Sequence, residues 1–163
     1  MLPACAKLAS LEQGIEIHKK TISSGCRYDV FVMTALVDMY AQCGSIEKAR
    51  ELFDKLHPRA VVSWNAMIGG YATNGHGKEA LELFEQMKQS SMTPDHITLV
   101  SVLSACSHAG MVDEGYFYFD YMRKHYHNTP AIEHYVCMVD LLGCAGRLDE
   151  VEDLITRMPT VAG

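Results

Sequence analysis

The sequence is short of positive charge and has no long apolar run. Fourteen lysine and arginine residues stand against twenty aspartate and glutamate residues, so the net charge is −6. Nonspecific affinity for nucleic acids comes mostly from lysine and arginine contacts with phosphates, so this balance argues against a general polyanion binder. No stretch approaches 18 uninterrupted apolar residues, and we therefore expect no membrane-spanning helix and no membrane partner.

Motifs for metal binding and catalysis are also missing. The six cysteines and eight histidines form no CxxC, no HExxH and no paired Cys/His finger, and the deaminase signature HxE followed by PCxxC does not occur. Isolated pairs such as Cys106-x-His108 and His125-x-His127 are typical of structural or surface residues. The start of the chain shows no secretory or organellar presequence, which favours reduced thiols. We expect no catalytic residue, no metal and no cofactor.

An internal repeat dominates the sequence. Four segments align, namely CGSIEKARELF from Cys43, NGHGKEALELF from Asn74, AGMVDEGYFYF from Ala109 and AGRLDEVEDLI from Ala145. Their glycines Gly44, Gly75, Gly110 and Gly146 lie 31, 35 and 36 residues apart, and Phe53, Phe84, Phe119 and Ile155 repeat these three spacings. Two independent markers with equal spacings indicate a true repeat.

Each unit has the pattern of two helices joined at its glycine. In residues 30–60, apolar residues recur at three- and four-residue spacing on both sides of Gly44. A glycine adopts the left-handed backbone of a helix end at little cost. A hairpin of about 35 residues cannot bury its apolar stripe alone. We therefore predict an all-α, right-handed α-solenoid superhelix of stacked helix-turn-helix repeats, with first helices on its concave side.

The whole chain, residues 1–163, divides into five units of a single array. An incomplete unit, 1–29, opens the chain, because ACAKLASLEQGIEI from Ala4 matches the sequence from Ala105; its first helix is predicted to be cut short. The remaining units are 30–60, 61–95, 96–131 and 132–163. The ends of a truncated solenoid expose core-like faces, which predicts self-association through the terminal repeats.

The unit VVSWNAMIGGYATNGHGKEALELFEQMKQSSMTPD, from Val61 to Asp95, resembles a pentatricopeptide repeat along its whole length. The unequal unit lengths resemble the plant PLS-type subgroup, with 1–29 as a partial long type, 30–60 as short, 61–95 as standard, 96–131 as long and 132–163 as the final short type. LSACSHAGMVDEG and EHYVCMVDLLGCAGRLDE resemble the last units before the C-terminal extension of organellar RNA-editing factors.

This resemblance implies sequence-selective binding of single-stranded RNA, at roughly one base per unit. It implies that the chain acts in the mitochondrion or chloroplast as a specificity module for C-to-U editing, with no catalysis of its own. The implied partners are single-stranded RNA and organellar RNA-editing accessory proteins. Two alternatives stay open: a protein-binding adaptor resembling tetratricopeptide arrays, whose units are a uniform 34 residues, and a nonfunctional truncated remnant.

The resemblance also assigns RNA-binding residues to two units. In unit 61–95 they are Asn65, Asp95 and Val62, a combination that resembles uracil-preferring repeats. An amide offers a donor and an acceptor to a pyrimidine edge, and the carboxylate can orient it. The alternative for Asn65 and Asp95 is helix capping.

In unit 30–60 the corresponding residues are Thr34, Ala60 and Phe31. Threonine there resembles purine-preferring repeats, but Ala60 replaces a polar partner, which predicts blurred discrimination. The corresponding Val100 and Pro130 of unit 96–131, and Val136 of the last unit, offer no side-chain hydrogen bond.

Other residues favour packing over RNA contact. Trp64 stands where other units carry Met33, Leu99 and Tyr135, which indicates packing between helices. The aromatic group Tyr116, Phe117, Tyr118, Phe119 and Tyr121 lies on a second helix and favours packing and a partner surface. The lysine that many units of this family carry before the turn is Gln42, Thr73, His108 and Cys144 here, with only Lys7 retained; this predicts weak binding.

Overall fold

The computed structural model describes residues 2–25, 29–126 and 129–159, with side chains from Ser10 onward. Over these ranges the chain forms nine α-helices and no strand, which confirms the all-α prediction. The helices are α1 Leu2–Ser23, α2 Val30–Gln42, α3 Ile46–Lys55, α4 Val61–Thr73, α5 Gly77–Gln89, α6 His96–Ala109, α7 Val112–His125, α8 Ile132–Cys144 and α9 Leu148–Thr156. None of the described helices is long and apolar enough to cross a membrane.

Four helical hairpins follow one another, α2–α3, α4–α5, α6–α7 and α8–α9, and each turns at its repeat glycine. Gly44 has φ +82° and Gly75 has φ +80°, and the later two glycines are also left-handed. After each glycine the next N–H bonds back to the carbonyl five residues earlier, as from Ser45 to Tyr40 at 2.9 Å. This pattern satisfies the last carbonyls of the first helix, so the glycine ends the helix as predicted.

The hairpins stack in sequence order, and within the described part of the chain each contacts only the hairpins next to it, so they form an α-solenoid. The first helices α2, α4, α6 and α8 pack directly against one another. Among the described residues, no Cα atoms of α3, α5, α7 and α9 approach those of the next second helix within 8 Å. Because the first helices are close together and the second helices are farther apart, the array curves with the first helices on its concave side.

Apolar side chains fill the seams between hairpins. Phe53 of α3 meets Trp64 of α4 edge to face at 5.1 Å between ring centroids, and Phe119 meets Tyr135 in the same way at 5.3 Å. Trp64 is buried, which confirms its packing role. The largest fully buried side chains include Met67, Met87, Met122 and Met138, whose flexible thioethers fill irregular space.

The N-terminal unit differs from the expected shortened hairpin. Helix α1 runs unbroken from Leu2 to Ser23, with no turn between a first and a second helix. The repeat alignment puts Ala9 opposite Gly110, so no glycine is present to end a first helix there. The side chains of Cys5, Lys7, Cys26 and His127 lie outside the described residues.

Candidate nucleic-acid interface

A row of exposed apolar side chains follows the N-termini of successive first helices. Phe31 of α2 is 86% exposed, Val62 of α4 is 65% exposed and Ile97 of α6 is 59% exposed. Each is the second residue of its helix, and α2, α4 and α6 stack side by side, so the three side chains form one edge of the concave groove. The same place on α8 is taken by Glu133, which is also exposed.

Asn65 lies one turn deeper and connects two units. Its side chain is buried, and its Nδ2 donates to Asp95 Oδ1 at 2.9 Å. Its Oδ1 accepts from the Thr98 hydroxyl at 2.5 Å. The structure therefore brings the predicted amide and carboxylate into direct contact and adds a hydroxyl from the following first helix.

Asp95 is also the N-cap of α6. Its Oδ1 accepts the Thr98 backbone N–H at 2.9 Å, while the Thr98 hydroxyl accepts the Asp95 backbone N–H at 3.0 Å. This is a capping box, so the capping alternative holds for Asp95. Asn65 lies inside α4, whose N-cap is Ala60, and it caps no helix. Capping and the contact with Asn65 use the same carboxylate oxygen.

The charge on Asp95 fixes which way the Asn65 amide faces. An ionised carboxylate only accepts hydrogen bonds, so it selects the NH2 end of the amide, and the carbonyl end must turn to the Thr98 hydroxyl. Partial burial opposes ionisation, but the hydrogen bonds from Thr98 and Asn65 outweigh it and lower the pKa of the Asp95 carboxyl. One amide hydrogen and one carbonyl lone pair of Asn65 remain unused by these contacts.

Unit 30–60 has a weaker version of this arrangement. The Thr34 hydroxyl lies 2.7 Å from the Ser63 hydroxyl, and either oxygen can be the donor. Ala60, the N-cap of α4, has no side-chain group to accept a hydrogen bond. No charged group selects the donor here. The Thr34 hydroxyl, next to the exposed Phe31, can therefore either donate or accept the hydrogen bond with Ser63.

Between units 96–131 and 132–163, Val100 stands where Thr34 and Asn65 stand in the earlier units. His134 takes the place of Ser63 and Thr98. His134 is buried, its Nδ1 accepts the Ala131 N–H at 3.0 Å, and its Nε2 has no hydrogen-bond partner among the described residues. Burial and the nearby His96 lower the pKa of His134. Val100 and Val136 offer no polar group, and Pro130 is buried.

Sequence reasoning missed the two hydroxyl residues, Ser63 and Thr98, that hold the fifth residue of the preceding unit. The capping-box pattern of Asp95 and Thr98 was visible as a helix start signal. The contacts themselves join residues 29 and 33 positions apart, which no local pattern predicts.

The groove carries almost no positive charge. Helices α2, α4, α6 and α8 contain no lysine and no arginine, and they carry the carboxylates of Asp38, Glu133 and Asp140. The lysines and arginines of the described hairpins lie on second helices or connecting segments. Phosphate groups laid along the first helices would meet few cations.

Comparison with known proteins identifies the repeat. A model of the PPR repeat family matches residues 59–108, and a model of the PPR repeat matches residues 31–57, 97–127 and 133–160. Together they cover more than half of the chain.

Several curated relatives are proteins of Arabidopsis thaliana. Pentatricopeptide repeat-containing protein CRR2, chloroplastic, is 47% identical over 163 residues, which are 100% of this chain and 25% of that protein. Pentatricopeptide repeat-containing protein At2g03880, mitochondrial, is 47% identical over 158 residues, 97% of this chain and 25% of the relative. Across these and further curated relatives from the same plant, the chain spans 16% to 26% of the relative's length.

Solved structures of a pentatricopeptide repeat protein have the same fold. The pentatricopeptide repeat protein PPR10 in complex with an 18-nt psaJ RNA element matches with a TM-score of 0.77 and 26% identity. The match covers 86% of this chain and 21% of PPR10. The structure of PPR10 from maize has the same fold, with a TM-score of 0.73 and 23% identity over 92% of this chain and 22% of PPR10. With the family models and the relatives in agreement, the chain belongs to the pentatricopeptide repeat family.

Proposed function

We propose that this chain is an RNA-binding segment of a plant organellar pentatricopeptide repeat protein of the PLS type. It selects bases of single-stranded RNA in the mitochondrion or chloroplast and serves as a specificity module for C-to-U editing. The observation that carries the proposal is the Asn65 amide, oriented by Asp95 and Thr98 beside the exposed Val62. The likeness to PPR10, whose structure includes an RNA element, supports it.

The apolar row supplies the surfaces between which bases stack. A base read by Asn65 lies between Val62 and Ile97, and a base at unit 30–60 lies between Phe31 and Val62. Stacking is sequence-tolerant because every base has a flat face, so these residues hold bases without choosing among them. The choice among bases depends on the fifth residue of each unit, which is Thr34 in unit 30–60 and Asn65 in unit 61–95.

Asn65 reads the hydrogen-bonding edge of the base. Uracil presents an N3–H donor beside a carbonyl acceptor, and Asn65 has one amide hydrogen and one carbonyl lone pair left for it. Because the carboxylate prevents the amide from turning over, the order of donor and acceptor is constant. Thr34 lacks such a carboxylate, and we assign it a weaker preference.

This segment positions RNA and performs no reaction on it. Deamination belongs to another domain or another protein, and editing accessory proteins are proposed as partners. The few bases that these units address recur often in any transcript, so a unique target requires further repeats or partners. The lack of lysine and arginine on the first helices makes the affinity of this segment low.

A binding titration tests the coding role of Asn65. The chain is titrated by fluorescence anisotropy at low salt with uracil-rich and scrambled single-stranded oligonucleotides. We expect tighter binding to the uracil-rich strand, and we expect Asn65→Thr to shift the preference toward guanine. The matched control is Glu82→Gln, an exposed residue of the second helix α5, which should leave the preference unchanged.

An unchanged preference in Asn65→Thr, with circular dichroism showing an intact helical fold, removes the coding role. A shift of equal size in Glu82→Gln has the same consequence, because a change on the second helix α5 would then alter the preference as much as a change at Asn65.

A further inference from the structure

The outer face of α7 differs from those of the other second helices. Counted from the turn glycine, the seventh residue is Glu51, Glu82 and Asp153 in the other hairpins, but Phe117 in α7. The eleventh is Lys55, Gln86 and Arg157 in the others, but Tyr121 in α7. Two polar surface positions have thus become aromatic in one unit only, and Phe117 is 60% exposed.

The aromatic rings of α7 form an ordered stack with one open end. Phe117 lies offset-stacked on Tyr121, with centroids 6.3 Å apart and planes at 23°. Tyr121 stacks on His125 at 4.1 Å and has the Lys88 ammonium 4.6 Å from its centroid. Tyr121 therefore already has a cation and a stacking neighbour, whereas within the described ranges no cation lies over Phe117.

Carboxylates border the uncovered ring of Phe117. A surface cleft of about 380 Å³ is lined by Asp113, Tyr116, Phe117, Asp120, Tyr121 and Lys124, among others. Asp113, Phe117 and Asp120 follow the i, i+4, i+7 spacing and share one face of the helix. Asp120 lies 3.9 Å from Arg123 and 3.8 Å from Lys124, and all three side chains are more than half exposed. Such long surface pairs are weak, so the carboxylate of Asp120 can bind another cation.

The chain itself shows what chemistry fits a ring beside a carboxylate. Arg147 lies 5.6 Å from the Tyr116 ring centroid and bonds to Glu150, which also accepts the Tyr116 hydroxyl. Arg59 lies 4.5 Å from the Phe53 centroid. In both cases a guanidinium covers the aromatic face.

We propose that the α7 cleft binds an arginine side chain of a partner protein. The guanidinium stacks on Phe117 and donates hydrogen bonds to the carboxylates of Asp113 and Asp120. Arginine suits this cleft better than lysine, because its planar group can stack and present several donors in one plane. The net charge of −6 favours a basic partner, and the carboxylates repel the phosphates of RNA. This proposal does not depend on base reading in the groove.

Titration with matched peptides tests the proposal. The whole chain, labelled with 15N, is titrated with a glycine-rich peptide carrying three arginines and with the same peptide carrying citrulline, which has the same shape but no charge. We expect the arginine peptide alone to shift the backbone amides around Phe117. Phe117→Ala should weaken binding about threefold, and Asp113→Asn with Asp120→Asn about tenfold. Glu82→Gln, an exposed charge change on α5, should have no effect.

Four outcomes of the peptide titrations would overturn the proposal. They are equal binding of the citrulline peptide, shifts that map away from α7, unchanged affinity in Phe117→Ala, and a loss in Glu82→Gln as large as in the aspartate variants. Single-stranded RNA that shifts the same amides would also overturn it, because the face would then belong to nucleic acid.

Discussion

A single ionised carboxylate sets the direction of the Asn65 amide. Asp95 is the N-cap of α6 and also accepts the amide N–H of Asn65, so one oxygen serves both the fold and the proposed reading of RNA. In unit 30–60 the hydroxyls of Thr34 and Ser63 face each other, and Ala60 has no side-chain acceptor. The direction of the hydrogen bond between the two hydroxyls is therefore not set. At the residue scale, selectivity therefore depends on whether a charge is present at the end of the unit.

Asp95→Asn separates the charge from the cap. Asparagine caps a helix about as well as aspartate, so we expect the free energy of unfolding at pH 7 to fall by no more than about 1 kcal/mol. Two facing amides can pair in either direction, so the preference for uracil should fall roughly fivefold. Urea unfolding and anisotropy titrations measure the two effects.

The same variant has a pH signature. The pKa of Asp95 is lowered in the folded chain. Its ionised form therefore stabilises the fold fully above the ordinary carboxyl pKa, and this contribution is lost as pH falls through the lowered folded pKa. The stability difference between wild type and Asp95→Asn should narrow in acid. A difference that stays constant into strong acid, or an unaltered base preference at pH 7, would contradict this role of the charge.

At the scale of helices, the spacing of neighbouring hairpins depends on small residues at their contacts. A Cβ added at Gly70 of α4 would lie 2.6 Å from the Cβ of Ala41 in α2, and one added at Gly77 of α5 would lie 2.6 Å from the Cβ of Ala109. An alanine Cβ sits on the backbone and cannot move aside by rotation. These contacts keep neighbouring hairpins close together. They therefore also set the distance between Phe31 and Val62 in the apolar row.

Gly70→Ala should push α4 away from α2. We expect the free energy of unfolding to fall by about 1–3 kcal/mol, as for other overpacked interiors. The matched control is Gly143→Ala in α8, where, apart from the adjacent residues and backbone of α8 itself, no described atom lies within 4 Å of the added Cβ. This control should gain about 0.5–1 kcal/mol, because alanine favours a helix over glycine. Equal stabilities of the two variants in urea unfolding would show that the close approach carries no energetic weight.

At the scale of the whole molecule, the last hairpin exposes a face that the others bury. Ile155 of α9 is 53% exposed, whereas its counterparts Phe53 and Phe119 are 1% and 5% exposed. Leu148 is likewise exposed, and α1 exposes Ile17 and Ile22 at the other end. Exposed apolar faces at the end of a helical array can pack against a complementary helix.

We expect the chain to self-associate through these ends. Sedimentation velocity should show an average mass that rises with concentration, and Leu148→Glu with Ile155→Glu should suppress the rise. Val62→Glu changes an equally exposed apolar residue in the groove and should leave the association intact. A strict monomer at high concentration, or suppression by Val62→Glu as well, would refute association through the ends.

The hairpin units and their turns could be predicted from sequence. The spacing of Gly44, Gly75, Gly110 and Gly146 marks the turns, and apolar periodicity marks the helices, because both signals depend on residues within a few turns of each other. The same logic explains the single long helix α1, because the residue aligned with Gly110 is Ala9 and no glycine is present to end a first helix there.

Local pattern determined the repeat, the helix pairs and the residues that could face a groove. Only the tertiary structure decided that the Thr98 hydroxyl joins Asn65 and Asp95, that Ser63 faces Thr34, and that the face of the Phe117 ring on α7 is uncovered. These facts depend on how far apart and in what register consecutive hairpins stack. That register is set by side-chain volumes summed across a whole interface, such as Gly70 against Ala41, and no short stretch of sequence contains it.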